Sequence, residues 1–123
     1  MKITLLSDER IRLEATAGPM TIEADTPDRM YSPFHMVASG LATCIMSVLH
    51  SWASNAKLSP DDLSIEVGWS FADAPRRVGS YEVELIWPSL PEARRTAAER
   101  ATHLCPIHQT LQNPPEIRSV LRQ

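Results

Sequence analysis

The stretch that decides the fold reads SPFHMVASGLATCIMSVLHSW and covers residues 32–52. Ser32 can cap the free amides of a helix, and Pro33 suits the first helical position because that position needs no amide hydrogen. From Pro33 to about Ala56 the chain has no further proline and no Asp, Glu, Lys or Arg, and apolar residues lie on nearly every face. This pattern predicts a helix that is buried all round and ends near Asn55.

The predicted helix is about 36 Å long, which is enough to cross a small domain. Polar side chains interrupt its apolar run, so we expect a core helix and not a membrane span. These polar residues are Ser39, Thr43, Ser47, His50 and Ser51.

The composition is that of an ordinary soluble protein, with 43% hydrophobic and 22% charged residues among 123. Residues 1–123 are therefore expected to form one domain with its own core. The net charge of -3 comes without a basic stripe, which makes nucleic acid an unexpected partner. The first residues lack the continuous apolar core of a secretory signal, so we expect a cytoplasmic protein.

The segments before the helix alternate between apolar and polar residues. This alternation covers residues 3–5, 11–15 and 20–22, and it predicts an antiparallel meander of two or three strands. Turn residues between positions 25 and 29 predict a loop that leads into the helix.

After the helix, residues 63–71 and 81–87 alternate most clearly and predict a hairpin with one apolar face. The long helix is the expected cover for that face. Residues 91–104 then predict a second helix, and residues 116–121 a final strand. The apolar face of the second helix is expected to carry Ala93, Ala97, Ala101 and Leu104.

The two cysteines occupy different predicted surroundings. Pro106 predicts the start of a short helix with Cys105 at its N-cap, where the helix amides should favour the thiolate. Cys44 lies inside an apolar helix, where burial should keep the thiol protonated. A reactive Cys44 would then need a positive charge from outside the helix. The nearest preceding cations are Arg10, Arg12 and Arg29, of which the first two could reach the site more easily from a partner subunit.

Other interpretations of these residues stay open. In a reducing cytosol the cysteines are expected as free thiols, a redox pair or metal ligands, and Cys44 could also be a small buried hydrophobe. A metal site could combine Cys44, Cys105 and His108 with His35 or His50, although no CxxC or HExxH motif supports it. His108 is otherwise expected as a cap partner or surface residue. The three tryptophans, Trp52, Trp69 and Trp87, are expected in the core.

Two segments of the chain resemble a known family. Residues 32–44, from Ser-Pro-Phe-His to Ala-Thr-Cys, and residues 105–111, Cys-Pro-Ile-His-Gln-Thr-Leu, are similar to the paired motifs of the OsmC/Ohr family of osmotically inducible and organic hydroperoxide resistance proteins. The second motif is the more specific one, and the separation of 61 residues between the cysteines is also of the kind that this family has. The resemblance extends over residues 32–121.

The resemblance implies an α+β fold in which curved antiparallel sheets pack on two long central helices. It implies an intertwined homodimer with its sites at the interface. It also implies that Cys44 attacks a hydroperoxide and becomes a sulfenic acid, and that Cys105 resolves it to a disulfide which an external dithiol reduces. No metal or other cofactor is expected.

One departure from the family pattern bears on activity. Members that reduce peroxides carry a carboxylate shortly after the proline that opens the central helix, where it holds an arginine against the thiolate. This chain has Phe34 and His35 at those positions, which resembles the OsmC-like branch of the family. An alternative function is therefore a dimeric module that binds a small hydrophobic ligand near Cys44 without peroxidase activity. An enzymatically silent dimer is a third possibility.

Overall fold

The computed structural model describes residues 33–123 in full and, before them, only the backbone of four strands. The predicted cap Ser32 and the predicted loop at residues 25–29 lie outside the described residues, as do the side chains of Arg10 and Arg12. The four strands are β1 (Lys2–Ser7), β2 (Arg10–Glu14), β3 (Ile22–Glu23) and β4 (Met30–Tyr31).

The central helix α1 runs from Pro33 to Asn55, as the sequence predicts. It ends where Lys57 adopts a left-handed φ of 57° and the Leu58 N–H donates to the Ala53 carbonyl at 2.8 Å. The prediction that α1 is buried all round is wrong for the single chain, because one face stays exposed. The buried side chains are His35, Ala38, Leu41, Ala42, Ile45, Met46, Leu49 and Ala53.

By length and composition, α1 could cross a membrane, with a mean hydropathy of 1.4 over its best 18 residues. Its polar residues therefore do not exclude a span by themselves, contrary to the prediction. Its packing favours the core helix of a soluble protein, because its buried face is covered by a strand and by later helices of the same chain. The cytoplasmic location stays a prediction.

The predicted hairpin is confirmed as β5 (Ser64–Ala72) and β6 (Arg77–Ile86), paired antiparallel from Ser64 opposite Ile86 to Ala72 opposite Arg77. Together with the first two strands it forms a sheet in the order β2-β1-β5-β6. The first two strands of the predicted meander pair as expected. The third does not join them, because β3 pairs with β4 in a separate two-stranded sheet.

The face of the hairpin that contacts α1 carries the fully buried Ile65 and Val67. Trp87 follows β6 and is also buried, with its indole N–H donating to the Ser59 carbonyl at 3.2 Å. Trp52 of α1 meets the Trp87 ring edge-on at 6.1 Å between centroids, which ties the helix to the end of the hairpin.

The predicted helix at residues 91–104 is divided into three pieces. The middle is a short α-helix, α2 (Arg95–Ala101), and tighter 3₁₀ turns flank it at Glu92–Arg94 and Thr102–Leu104. In both turns a backbone N–H donates to the carbonyl three residues earlier. The second turn directs Leu104 outward, and this residue is 72% exposed. Among the four predicted apolar positions, only Ala101 is fully buried.

The last helix, α3 (Pro106–Gln112), begins where the sequence predicts. The predicted strand at residues 116–121 is wrong, since residues 113–123 have no regular structure and are exposed. Pro114 and Pro115 remove two backbone donors just before this segment, and in the described chain no sheet edge pairs with it. The fold class is α+β as expected, although α1 is the one long helix among the described residues.

Candidate functional site

Cys105 stands at the N-cap of α3, as the sequence predicts. Its backbone is extended, with φ -64° and ψ 121°, and its Sγ accepts a hydrogen bond from the His108 N–H at 3.3 Å. Pro106 follows at the first helical position, where no donor is lost. The Cys105 side chain is 0% exposed, so the cap also fixes a sulfur inside the core.

The structure brings Cys44 and Cys105 together. Both are free thiols, and their side chains are close enough to share a hydrogen bond. Cys44 projects from the middle of α1 and is only half-buried, whereas Cys105 is sealed from solvent. The pair therefore consists of one accessible and one inaccessible sulfur.

The expectation that the helix amides favour the Cys105 thiolate is wrong. Burial raises the pKa of the Cys105 thiol above its usual range, and the hydrogen bond with Cys44 raises it further. The N–H groups of His108 and Ile107 act in the opposite direction and are outweighed. Cys105 therefore holds its proton more strongly than an exposed cysteine does.

A cavity of about 480 Å³ opens beside Cys44. Most of its wall comes from α1 at positions 3, 4, 7, 8 and 11 residues after Cys44, which is the spacing of one helix face. These wall residues were not predicted from the sequence, although this spacing could have identified them. The lining is Cys44, Ser47, Val48, Ser51, Trp52, Asn55, Leu104 and Pro106, which includes no charged side chain.

Phe34 and His35 lie away from the cysteine pair. Phe34 packs edge-on against Phe71, and His35 packs edge-on against Trp69, each at 5.0 Å between ring centroids. Nine to ten residues of α1 separate them from Cys44, which corresponds to roughly 14 Å along the helix axis. Burial lowers the pKa of His35 below its usual 6.5. These two residues support the hairpin and are not placed to assist a thiolate.

His108 contributes its backbone to the cysteine pair and its ring to other contacts. Its N–H caps Cys105, as expected for a cap partner, while its Nδ1 lies 3.2 Å from the Thr102 carbonyl and its ring packs on His103. Among the residues that the structure describes, no three His, Cys, Asp or Glu side chains are grouped so that they could hold a metal ion. The alternative metal set is thus not assembled here.

The family model for OsmC-like proteins matches residues 26–120. The chain belongs to the OsmC-like family. No curated protein sequence matches it significantly.

Solved structures have a similar fold. A candidate osmotic stress induced and detoxification response protein from Psychrobacter arcticus is 21% identical, with a TM-score of 0.59 over 64% of this chain and 58% of that one. A candidate redox protein from Lactobacillus casei is 17% identical, with a TM-score of 0.53 over 74% of this chain and 65% of that one. This OsmC-like chain therefore matches less than two thirds of the length of either relative, and the likeness concerns the fold.

Proposed function

We propose that this OsmC-like protein reduces organic hydroperoxides, with Cys44 as the peroxidatic thiol and Cys105 as the resolving thiol. The observation that carries the proposal is the contact between a half-exposed cysteine beside a cavity and a buried cysteine that retains its proton. A stress-related redox role also fits the family and the names of its structural neighbours.

In the first step, the Cys44 thiolate attacks the outer oxygen of the hydroperoxide, and the O–O bond breaks. The sulfur is oxidised to a sulfenic acid, and the alkoxide leaves and takes up a proton as the alcohol. The Cys105 thiol supports this step because it donates a hydrogen bond to the Cys44 sulfur while Cys44 carries its charge.

In the second step, the Cys105 sulfur attacks the sulfenic sulfur, forming the S–S bond and releasing water that takes the thiol proton. Because the pKa of the Cys105 thiol is raised, its proton must leave as the sulfur attacks. A dithiol then reduces the disulfide by exchange and is itself oxidised to a disulfide.

The cavity beside Cys44 indicates the substrate class. Val48, Trp52, Leu104 and Pro106 give it an apolar wall, and none of the described residues that line it is charged. A peroxide with an alkyl or aryl group would bury that group there, whereas hydrogen peroxide has nothing to bury. We therefore propose organic hydroperoxides as substrates.

The positive charge that Cys44 needs is proposed to come from a second copy of the chain. Apolar side chains exposed on α1 and in the last residues, including Met36 (52% exposed), Val37 (44%) and Ile117 (86%), would be covered in a homodimer. Arg10 or Arg12 of the other copy would then be the candidate partner of the thiolate. Sedimentation should give twice the chain mass of 13.7 kDa, and a monomer at micromolar concentration would contradict this part of the proposal.

The test of the activity is turnover of cumene hydroperoxide by the reduced protein with dithiothreitol in excess. The wild-type chain should consume peroxide over many cycles, and Cys44→Ser should consume none above the background of the dithiol. Cys105→Ser should consume about one equivalent and accumulate a sulfenic acid, which a dimedone probe traps and mass spectrometry detects.

Ser54→Ala is the matched control, because Ser54 is exposed on α1 and does not line the cavity. It should retain turnover close to that of the wild-type chain. Equal peroxide loss by the wild type and by Cys44→Ser would refute the proposal, and faster loss of hydrogen peroxide than of cumene hydroperoxide would refute the substrate class.

A second candidate function is a dimeric module that binds a small hydrophobic ligand beside Cys44. The aromatic packing of Phe34 and His35 favours it, because these residues do not supply the carboxylate that the peroxidase motif carries. Native mass spectrometry of the purified protein distinguishes the binding module from the peroxidase. A co-purifying apolar compound with no Cys44–Cys105 disulfide after mild oxidation would favour the module, and the reverse result would favour the peroxidase.

A further inference from the structure

A second cavity, of about 490 Å³, lies beyond the cysteine pair and does not include either sulfur. It is open to solvent on one side, and its walls come from α1, β6, the second 3₁₀ turn and α3. Its lining is Leu41, Ile45, Val78, Gly79, Ser80, Tyr81, Val83, Thr102, His108, Leu111 and Gln112. This volume is in the usual range for a site that holds a small molecule.

His108 lines this cavity and carries an acceptor without a hydrogen-bond partner among the described residues. Its Nδ1 is 3.2 Å from the Thr102 carbonyl, and a carbonyl only accepts, so Nδ1 carries the proton. In the neutral ring Nε2 is then the acceptor. Among the described residues, Nε2 has no hydrogen-bond partner. Every buried polar side-chain atom in that part of the chain has a partner, so Nε2 is not fully buried. Nε2 is therefore reachable from the cavity or from solvent.

Tyr81 also lines this cavity and carries a second unpaired group. Its ring packs against the core from β6, and its hydroxyl has no hydrogen-bond partner among the described residues. Burial raises the pKa of Tyr81, so the group is a neutral phenol near neutral pH. The hydroxyls of Ser80 and Thr102 are already engaged, by Ser70 and by the Glu99 carbonyl respectively.

The charge of the lining restricts the ligand. Among the residues that the structure describes, no Asp, Glu, Lys or Arg lines the cavity, so a buried carboxylate or ammonium group would meet no opposite charge from them. The apolar wall, contributed mainly by Leu41, Ile45, Val78 and Val83, suits a hydrocarbon or aromatic body. One hydroxyl on such a body could donate to His108 and accept from Tyr81.

We infer that this cavity, defined by Tyr81, His108 and the apolar residues of α1 and β6, binds an uncharged amphipathic molecule that carries a hydroxyl group on an aromatic or hydrocarbon body. The site is separate from the one proposed for peroxide, because neither cysteine lines it. Binding does not depend on the proposed redox activity, and it should persist in Cys44→Ser.

Three probes with the same skeleton test the inference on the full chain: 4-butylphenol, 4-butylbenzoate and butylbenzene. Affinity for Cys44→Ser, measured by ligand-detected NMR near neutral pH, should be highest for 4-butylphenol. We expect 4-butylbenzoate to bind at least about tenfold more weakly, because its charge is unpaired when buried. Butylbenzene should bind about fivefold more weakly, because the two polar groups stay unsatisfied.

Two shape-conserving variants locate the site. Tyr81→Phe and His108→Phe should each weaken the binding of 4-butylphenol about fivefold and leave the binding of butylbenzene nearly unchanged. His103→Phe is the matched control, because His103 packs on His108 but does not line the cavity. It should bind all three probes like the parent. Circular dichroism would confirm that each variant is folded.

Backbone chemical shifts supply the independent measurement. Addition of 4-butylphenol should shift the amides of Ser80, Thr102 and Gln112 more than those of Ser51 and Asn55, which line the Cys44 cavity. The inference is overturned if the larger shifts fall on Ser51 and Asn55, or if the benzoate binds as well as the phenol. It is also overturned if no probe binds because a second copy of the chain fills the cavity.

Discussion

Cys44 and Cys105 carry the same side chain in contrasting surroundings. Cys44 is half-exposed in the middle of a long helix, and Cys105 is fully buried at the start of a short one. Local structure alone would make Cys105 the more acidic thiol, because it faces helix amides. The structure overturns this expectation for Cys105, since burial and the neighbouring sulfur raise its pKa by more than two amide hydrogens lower it.

The comparison teaches that a position in secondary structure does not determine the chemistry of a thiol. The N-cap supplies one hydrogen bond of 3.3 Å to the sulfur, from a neutral backbone N–H. Desolvation acts on the whole charge of a thiolate and grows with every element that covers it. Cys105 is therefore suited to hold a proton beside Cys44, and the pair has an inherent division of roles.

The largest expected difference between Cys44 and Cys105 is in their rates of alkylation. With iodoacetamide and the reduced, folded protein, Cys44 should be modified at least about a hundredfold faster than Cys105, because the reagent needs both access and thiolate. Peptide mass spectrometry after timed quenching measures both rates. In guanidinium chloride the two rates should become similar. Faster modification of Cys105 in the folded protein would reverse the proposed roles.

The second effect is on stability. Cys105→Ala removes a buried sulfur and a helix cap and should lower the free energy of unfolding by about 2 kcal/mol. Cys44→Ala removes a half-exposed sulfur and should cost about 1 kcal/mol or less. Urea denaturation at one protein concentration measures both changes.

Cys105→Ser sharpens this stability test, because serine restores a good N-cap but places a hydroxyl in the core. Its free energy of unfolding should lie between those of the wild type and Cys105→Ala. Equal losses for Cys44→Ala and Cys105→Ala would show that the two surroundings differ less than the structure indicates.

The third effect appears at alkaline pH. The pKa of Cys105 is raised by folding, so above about pH 8.5 the unfolded chain loses this proton before the folded chain does. The folded state then binds more protons, and the free energy of unfolding decreases as pH rises, by at most about 1.4 kcal/mol per pH unit. Cys105→Ala should flatten the curve between about pH 8.5 and 10. An unchanged slope would contradict the raised pKa.

The smallest expected effect is a loss of stability at acid pH. It comes from His35 near the start of α1. Burial lowers its pKa below 6.5, so the unfolded chain takes up a proton first as pH falls through that value. The free energy of unfolding should then decrease with falling pH. His35→Phe, which keeps a ring against Trp69, should reduce this dependence. Denaturation curves at several pH values below 6.5 test it, and a steeper dependence in the variant would refute it.

Much of the fold could be predicted from the sequence. Pro33 and the long run without charged residues identify α1, alternation identifies the hairpin, and Pro106 identifies the start of α3 with Cys105 as its cap. Each of these signals is local, because helix caps, prolines and strand alternation act on neighbouring residues. The two cysteine motifs also indicated the family that the family model confirms.

The wrong predictions concern segments whose local signal is weak. The alanine-rich segment at residues 91–104 is divided by 3₁₀ turns, and the alternation at residues 116–121 forms no strand in the described chain. Alanine spacing does not distinguish one continuous helix from shorter pieces, and a strand exists only if another strand pairs with it.

The sequence by itself determined the elements that carry the two cysteines, and the helix face that Cys44 shares with the cavity wall. Only the tertiary structure decided that the thiols meet, that Cys105 is the buried one, and that a second cavity lies beside His108. The physical reason is the difference in sequence separation over which these effects act. Capping and periodicity depend on residues a few positions apart, whereas desolvation and cavity shape depend on segments that come together only when the chain folds.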